Sequence, residues 1–243
     1  MLPLVRRAAA CTAMLAGWCA CAATGWCAEP APGPFAAVYA LEWHGITAGQ
    51  TLLTLTQTGP GRYRYQSVNR ARGLFRIAFP DAITETSRFT IAAGHVRPQS
   101  YQEVNGPGKS GRDVHIEFDW RDGRVRGVQH GKPVDRPLAP GTQDPLSVQI
   151  ELMRDLAAGE SPTHFLLFDQ DVAKQFRYTR ESTVRLVTAI GSFDTVVYRS
   201  DRPGSERVLR LWLAPSLGYL PVKAERERKG HTEFELEIRS LER

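Results

Sequence analysis

Apolar and polar residues alternate along most of this chain in short runs bounded by turn residues, a period of two that predicts an antiparallel β protein. Val38 to Trp43 is the first such run, and His44-Gly45 turns it into Ile46 to Thr56. Gly59-Pro60-Gly61 leads into Tyr63 to Asn69, where Tyr63, Tyr65 and Ser67 share a face. Ala71 to Asp81 is irregular yet carries apolar Leu74, Phe75, Ile77 and Phe79. Ile83 to Ile91 and Arg97 to Val104 flank a turn at Gly94, and Asn105 to Gly111 reads as a loop. Asp113 to Trp120 sets Val114, Ile116, Phe118 and Trp120 on one face and His115, Glu117 and Asp119 on the other. Asp122-Gly123 predicts a hairpin turn of the primed type before Arg124 to Gln129. Further on, His164 to Phe168, Phe176 to Thr188, Phe193 to Ser200, Val208 to Ala214, Leu220 to Arg228 and Thr232 to Leu241 continue the strand pattern.

The pattern breaks once. Asp144-Pro145 predicts a helix start, with Asp as N-cap and Pro at the first position. Leu146, Ile150, Met153 and Leu156 recur at helical spacing, and Gly159 ends the run. So many strands in one flat sheet is implausible, and the helix cannot stand alone. The predicted fold is mainly β: a curved antiparallel sheet, half-barrel or barrel, with one main helix packed on its concave face.

The N-terminal stretch changes the setting. Arg6-Arg7, the apolar run Ala8 to Ala23 and a series of small residues read as a secretory signal peptide over 1–28, cut after Ala22 or Gly25. Residues 29–37 form a Pro-rich lead and 38–243 a single β-rich domain. Periplasmic localisation is expected. All four cysteines, Cys11, Cys19, Cys21 and Cys27, lie in the first 28 residues, so no internal disulfide is expected after processing. Bulky tryptophans before Cys19 and Cys27 argue against lipidation. No later apolar run approaches the ~20 residues of a membrane span. The net charge of +5 falls by two with Arg6 and Arg7, too mild for a nucleic-acid footprint.

Catalytic motifs are largely absent. Gly108-Lys109-Ser110 ends like a P-loop, but Glu103 stands where the first glycine belongs and a strand follows. No Gly-x-Ser-x-Gly occurs, and the six histidines show no metal-ligand spacing, so no catalytic residue, metal or cofactor is assigned. His115, Glu117 and Asp119 share a strand face, which fits a solvated polar face better than a metal half-site or an acid–base pair. Gln143-Asp144-Pro145-Leu146-Ser147 offers free N–H groups to an anion, or a helix that Asp144 caps for itself. Trp212, Trp120, Phe118, Tyr101, Tyr65 and Phe89 either line a ligand pocket or fill the core.

These positions carry a family resemblance. Gly45-Ile46 with Ala48-Gly49, Gly73-Leu74-Phe75, Ser87-Arg88-Phe89, Pro98 before Tyr101, Phe118-Asp119-Trp120, Gln143 to Ser147, Gly191 with Phe193, and Trp212 to Val222 together resemble the exported bacterial proteins catalogued as domain of unknown function 3108. Gly49, Asp144, Ser147 and Pro221 are the motif positions it marks. More loosely, the Trp212-to-Pro221 hairpin and the strands-plus-helix order look like periplasmic lipoprotein carriers, whose half-barrels shelter acyl chains. The expected function is binding of a hydrophobic or amphipathic envelope molecule, a lipid or acyl-bearing glycan, as carrier or accessory. Apolar faces would hold its chain and rim arginines its anionic head. The alternatives are an envelope adaptor with a protein partner on a strand edge and, third, an enzyme using the strand-face carboxylates.

Overall fold

The computed structural model describes residues 32–169 and 171–243; residues 1–28, read from the sequence as a signal peptide, lie outside them. Strands begin at Phe35, earlier than the lead was expected to end, because Phe35 is itself buried on the inward face with Ala37 and Tyr39. Eight strands follow in sequence: β1 (Phe35–Trp43), β2 (Ile46–Gly59), β3 (Arg62–Ala71), β4 (Ile83–Ala92), β5 (His95–Val104), β6 (Val114–Asp119), β7 (Arg124–Gln129) and β8 (Lys132–Pro137). The short β9 (Thr142–Gln143) precedes the main helix, and β10 (His164–Asp169), β11 (Val172–Thr188), β12 (Gly191–Asp201), β13 (Arg207–Ala214), β14 (Leu220–Arg228) and β15 (His231–Glu242) complete the chain.

All fifteen belong to one sheet, and β1 sits at its centre. β2 to β8 extend as a meander on one side; β15 back to β10, then β9, extend on the other. Every neighbouring pair is antiparallel except β9 with β10. Tight turns make the meander possible. At His44-Gly45, Ala93-Gly94, His130-Gly131 and Lys229-Gly230 both turn residues have positive φ, the two-residue geometry whose twist matches the strands. The β6–β7 connection differs from expectation. Only Gly123 has positive φ there, and four residues, Trp120 to Gly123, separate the paired Asp119 and Arg124, so it is not a primed two-residue turn.

A flat sheet of this width would set its edges roughly 65 Å apart, at about 4.8 Å per strand. Instead, strands from the two ends touch. Phe118 of β6 meets Phe168 of β10 edge-on, ring centroids 6.2 Å apart, and Arg136 of β8 pairs with Asp171 at 3.0 Å. The sheet is therefore curled and closes through side chains rather than through a hydrogen-bonded ladder. The segment that crosses from β8 to β10 carries the longer helix.

That helix, α2 (Ser147–Ala157), lies within the span expected for it. Its side chains enter two apolar clusters. Leu146, Ile150 and Met153 join the larger, with Tyr39, Leu55 and Tyr65; Val148, Leu152 and Leu156 join the smaller, with Phe165, Tyr198 and Leu213. Gly159, at φ 82°, follows its last turn. The structure adds a helix that the sequence pattern did not predict, α1 (Phe75–Ala78), in the irregular stretch before β4. None of its residues is buried.

Candidate functional site

The predicted site residues fall into different settings. Tyr65, Phe89, Tyr101 and Phe118 are buried in the larger cluster among protein groups. The ring of Tyr65 meets Phe35, Phe89 stacks on Tyr63, and Phe118 meets Phe168. The Tyr101 hydroxyl donates to Glu85 Oε1 at 2.6 Å. Trp120 is half-buried; its Nε1 donates to the Pro98 carbonyl at 2.6 Å, and the Arg97 guanidinium lies 4.8 Å from its ring centroid. Trp212 is also half-buried, with Lys223 Nζ 5.1 Å from its ring centroid. The curl of the sheet joins Phe118 to its far side, against Phe168.

The motif positions have structural explanations. Asp144 Oδ1 accepts from the Leu146 and Ser147 N–H groups at 2.8 Å, while Ser147 Oγ accepts from the Asp144 N–H at 2.9 Å. This is a reciprocal capping box, with Ser in place of the usual Glu. Ser147 Oγ also donates to Gln143 Oε1, and Gln143 Nε2 donates to the Val96 carbonyl at 2.9 Å. Burial raises the Asp144 carboxyl above the ordinary range against these hydrogen bonds. The helix start is thus occupied by its own side chains. Gly49 is required for a different reason: a Cβ there would collide with the backbone carbonyl of Arg70 on β3. The Pro221 carbonyl accepts from the buried Tyr39 hydroxyl at 2.7 Å.

On the outer face of β6, His115 and Glu117 are exposed, 3.8 Å apart, and His115 Nδ1 lies 2.8 Å from Gln102 Nε2. Asp119 accepts from the Asp122 and Arg121 N–H groups and pairs with Arg126; the Asp122 N–H above all, with the Arg121 N–H and the Arg126 charge, holds its carboxyl below the usual range. These groups serve a turn and a solvated face. Among the described residues no three His, Cys, Asp or Glu side chains are grouped to hold a metal.

The cavity with the chemistry sought lies at the end of the sheet beside α1. The cross-strand register places Arg226 opposite Phe234, Phe234 opposite Trp43, Leu41 opposite Gly49, Gly49 opposite Ala71, and Asn69 opposite Ile83. Directly below runs the row Ile238–Tyr39–Thr51, all buried, which ends at the half-buried Asn69. The first row continues the interior face past the end of the packed core. Phe75 and Phe79 of the α1 segment cover it, with the Trp43 and Phe75 rings edge-on at 5.8 Å. The result is an open, mostly apolar cavity of ≈ 440 Å³, lined by Leu41, Trp43, Phe75, Phe79, Ile83 and Phe234, with Arg70 and Arg226 among its polar residues.

Its inner side is polar. Thr51 Oγ1 donates to Asn69 Oδ1 at 2.5 Å, and Asn69 Nδ2 to Ser67 Oγ at 3.3 Å. Ser67 faces Glu85, whose carboxyl is raised by burial and by Glu103, against the Tyr101 hydrogen bond. Arg226 lies over Phe234, 4.2 Å from its centroid, and is lowered by burial despite Glu233 at 3.0 Å. Sequence reading missed this site because Trp43 and Phe234 looked like ordinary strand residues. The available signal was the cluster Leu74, Phe75, Ile77 and Phe79 in a stretch with no strand to bury it.

Comparison with known proteins places the chain in a family. The chain belongs to the family described as "Protein of unknown function (DUF3108)", matched over residues 38–237. No curated protein matches. Among solved structures, it is similar to a β-barrel-like protein of domain of unknown function DUF1849 from Brucella abortus, with a TM-score of 0.55 and 14% identity over 87% of this chain and 98% of that one. A Bacteroides fragilis protein with a YmcC-like fold aligns over 86% of this chain and 94% of its own, with 9% identity and a TM-score of 0.33. The Brucella likeness is one of fold, and the fold is β-barrel-like.

Proposed function

We propose that this protein is exported to the periplasm and binds a hydrophobic or amphipathic envelope molecule, a lipid or an acyl-bearing glycan, as a carrier or accessory. The observation that carries the reading is the cavity beside α1. Its apolar walls suit an acyl chain, its Arg70, which forms no salt bridge among the described residues, suits an anionic head, and its volume of ≈ 440 Å³ is ordinary for a small-molecule pocket. The proposal seats the ligand against Trp43, Phe75, Phe79 and Phe234 rather than against Trp212, Phe118 or Trp120. Export rests on the N-terminal sequence and agrees with a described chain in which no helix is long and apolar enough to cross a membrane.

The adaptor alternative, a partner strand on a sheet edge, has less support. Edge strand β8 reads Lys-Pro-Val-Asp-Arg-Pro, whose prolines and charges blunt pairing, and edge strand β9 has two residues.

Titration of delipidated protein with a fluorescent fatty-acid probe tests the reading. Binding should quench Trp43 emission, isolated in a Trp26→Phe, Trp120→Phe, Trp212→Phe background. Phe75→Asp should raise the probe Kd by about tenfold or more, a loss of ~1.4 kcal/mol. Folded protein that does not bind the probe, or binds it equally well with Phe75→Asp, would overturn the assignment.

A further inference from the structure

The α1 end exposes more apolar surface than the cavity uses. Leu74 is 83% exposed and Ile77 81%, and neither lines the cavity. Ile46, paired with Trp43 across the β1–β2 turn, is 60% exposed, and Trp43 and Phe79 are about half exposed. The Trp43–Phe75 contact joins this turn to the 74–79 segment, so the five belong to one tip. Scattered apolar residues on a surface need no explanation, but a contiguous group of large ones does.

Cations surround the tip. Arg70, Arg72 and Arg76 line a polar groove of ≈ 440 Å³ with Gln50 and Asp81, and this groove shares Arg70, Ala71 and Asp81 with the apolar cavity. Lys109 Nζ lies 5.1 Å from the Phe79 ring centroid. Among the described residues these four cations form no salt bridge, whereas Arg126, Arg177, Arg210 and Arg226 each pair with a carboxylate. Asp81, the acid in the groove, packs against Gly106. The positive charge is therefore available to an external anion.

The shape limits what that anion belongs to. β3 and β4, which flank α1 in sequence, are paired on both sides, so no strand edge is open there to a peptide. Leu74, at the N-cap of a four-residue helix, and Ile77, within it, stand out into solvent instead of lining a groove for a helix. Protruding apolar side chains inside a cationic collar suit a lipid surface, where the apolar tip enters the headgroup–acyl boundary and the cations meet phosphates.

We infer that this tip docks on an anionic phospholipid bilayer, Leu74 and Ile77 entering it and Arg70, Arg72, Arg76 and Lys109 contacting its headgroups. The inference goes beyond ligand binding, since protein with an empty cavity docks as well. It also gives the cavity a source: the mouth beside Phe75 and Phe79 then faces the membrane.

Sedimentation with phosphatidylglycerol–phosphatidylethanolamine vesicles tests it, with phosphatidylcholine vesicles as the neutral control. The protein should bind the anionic vesicles, release with added salt, and bind the neutral ones far more weakly. Leu74→Asp with Ile77→Asp should abolish binding, and each of Arg70→Ala, Arg72→Ala and Arg76→Ala should lower the partition coefficient roughly fivefold. Unchanged thermal melting of the double Asp variant would confirm that its fold is intact. No binding to anionic vesicles, equal binding to neutral ones, or full binding by the melted-normal double variant would overturn the inference. The fatty-acid probe, titrated without vesicles, separates the two readings. A double variant that still binds probe but not vesicles supports docking as a distinct function. Wild-type protein that binds probe but not vesicles sinks docking alone, and the reverse sinks the cavity assignment alone.

Discussion

Ser87 on β4 donates its hydroxyl to Asp144 Oδ2 at 2.5 Å, joining the β2–β8 side of the sheet to the start of α2. Both side chains are buried, and Asp144 also caps its own helix through Oδ1. One carboxylate thus fixes where the chain begins its helix and where that helix lies on the sheet.

Asp144→Ala should therefore cost more than an ordinary cap. Loss of the cap accounts for about 0.5–2 kcal/mol, and stranding the Ser87 hydroxyl for about 1–3 more. Asp144→Asn, which keeps an acceptor toward the helix, should cost clearly less. Urea unfolding monitored by circular dichroism measures both; an Asp144→Ala loss no larger than that of an ordinary cap would deny the Ser87 link a role.

Gly49 gives a prediction of a different kind. Its missing Cβ would strike the Arg70 carbonyl, which is backbone and cannot rotate away. Gly49→Ala should destabilise by about 1–3 kcal/mol through displacement of β2 from β3. Because Arg70 borders the cavity, probe affinity should fall too. A neutral Gly49→Ala in chemical denaturation would contradict the close approach.

Trp212 and Phe75 should separate stability from binding. Trp212 packs against the larger cluster with Lys223 over its ring, away from the cavity. Trp212→Ala should lower the melting temperature, at a cost of about 3 kcal/mol or somewhat less for a half-buried ring, and leave probe affinity within about twofold. Phe75→Asp should do the opposite. Strong loss of probe binding in Trp212→Ala with intact fold would return the ligand to the site first expected from sequence.

Stability should fall as pH rises through neutrality. Asp155 lies at the C-terminal end of α2, where the helix dipole disfavours an anion. Burial and the nearby charges of Glu151 and Glu160 push its carboxyl from 3.8 up to about 7, although His95 and Arg154 oppose this. Between those values the folded protein holds a proton that the unfolded chain has released, so the stability present in mild acid is lost as pH rises through about 7. His95 acts in the same direction. Its hydrogen bond to Glu151, at 3.0 Å, raises it above 6.5, so its contribution too is present in acid and lost above its raised value. Asp155→Asn should flatten the slope between pH 4 and 7 and add about 1–2 kcal/mol near pH 8, after allowance for solvent screening of a partly exposed group. Melting temperatures across that range, for wild type and variant, decide it; parallel profiles would refute the assignment.

Much of the local structure follows from the chain alone. Period-two runs such as Val114, Ile116 and Phe118 against His115, Glu117 and Asp119 specify a strand with one dry face, because a one-residue slip would bury the charges. Asp144-Pro145 with Leu146, Ile150 and Met153 specifies a capped, amphipathic helix for the same local reason. Tertiary structure decided how far the sheet curls, and hence that Phe118 packs on Phe168 of the far side. Aromatic composition does not distinguish a lining from a filling; only the path of the strands does. It also decided the site. Trp43, Asn69, Ile83 and Phe234 come from four strands, brought into adjacent positions by register, while α1 is held over them by the Trp43–Phe75 contact. The sequence around Leu74 and Ile77 signals apolar residues without a periodic partner. Whether such residues find a core is a long-range question, and the paired strands on either side leave them in solvent.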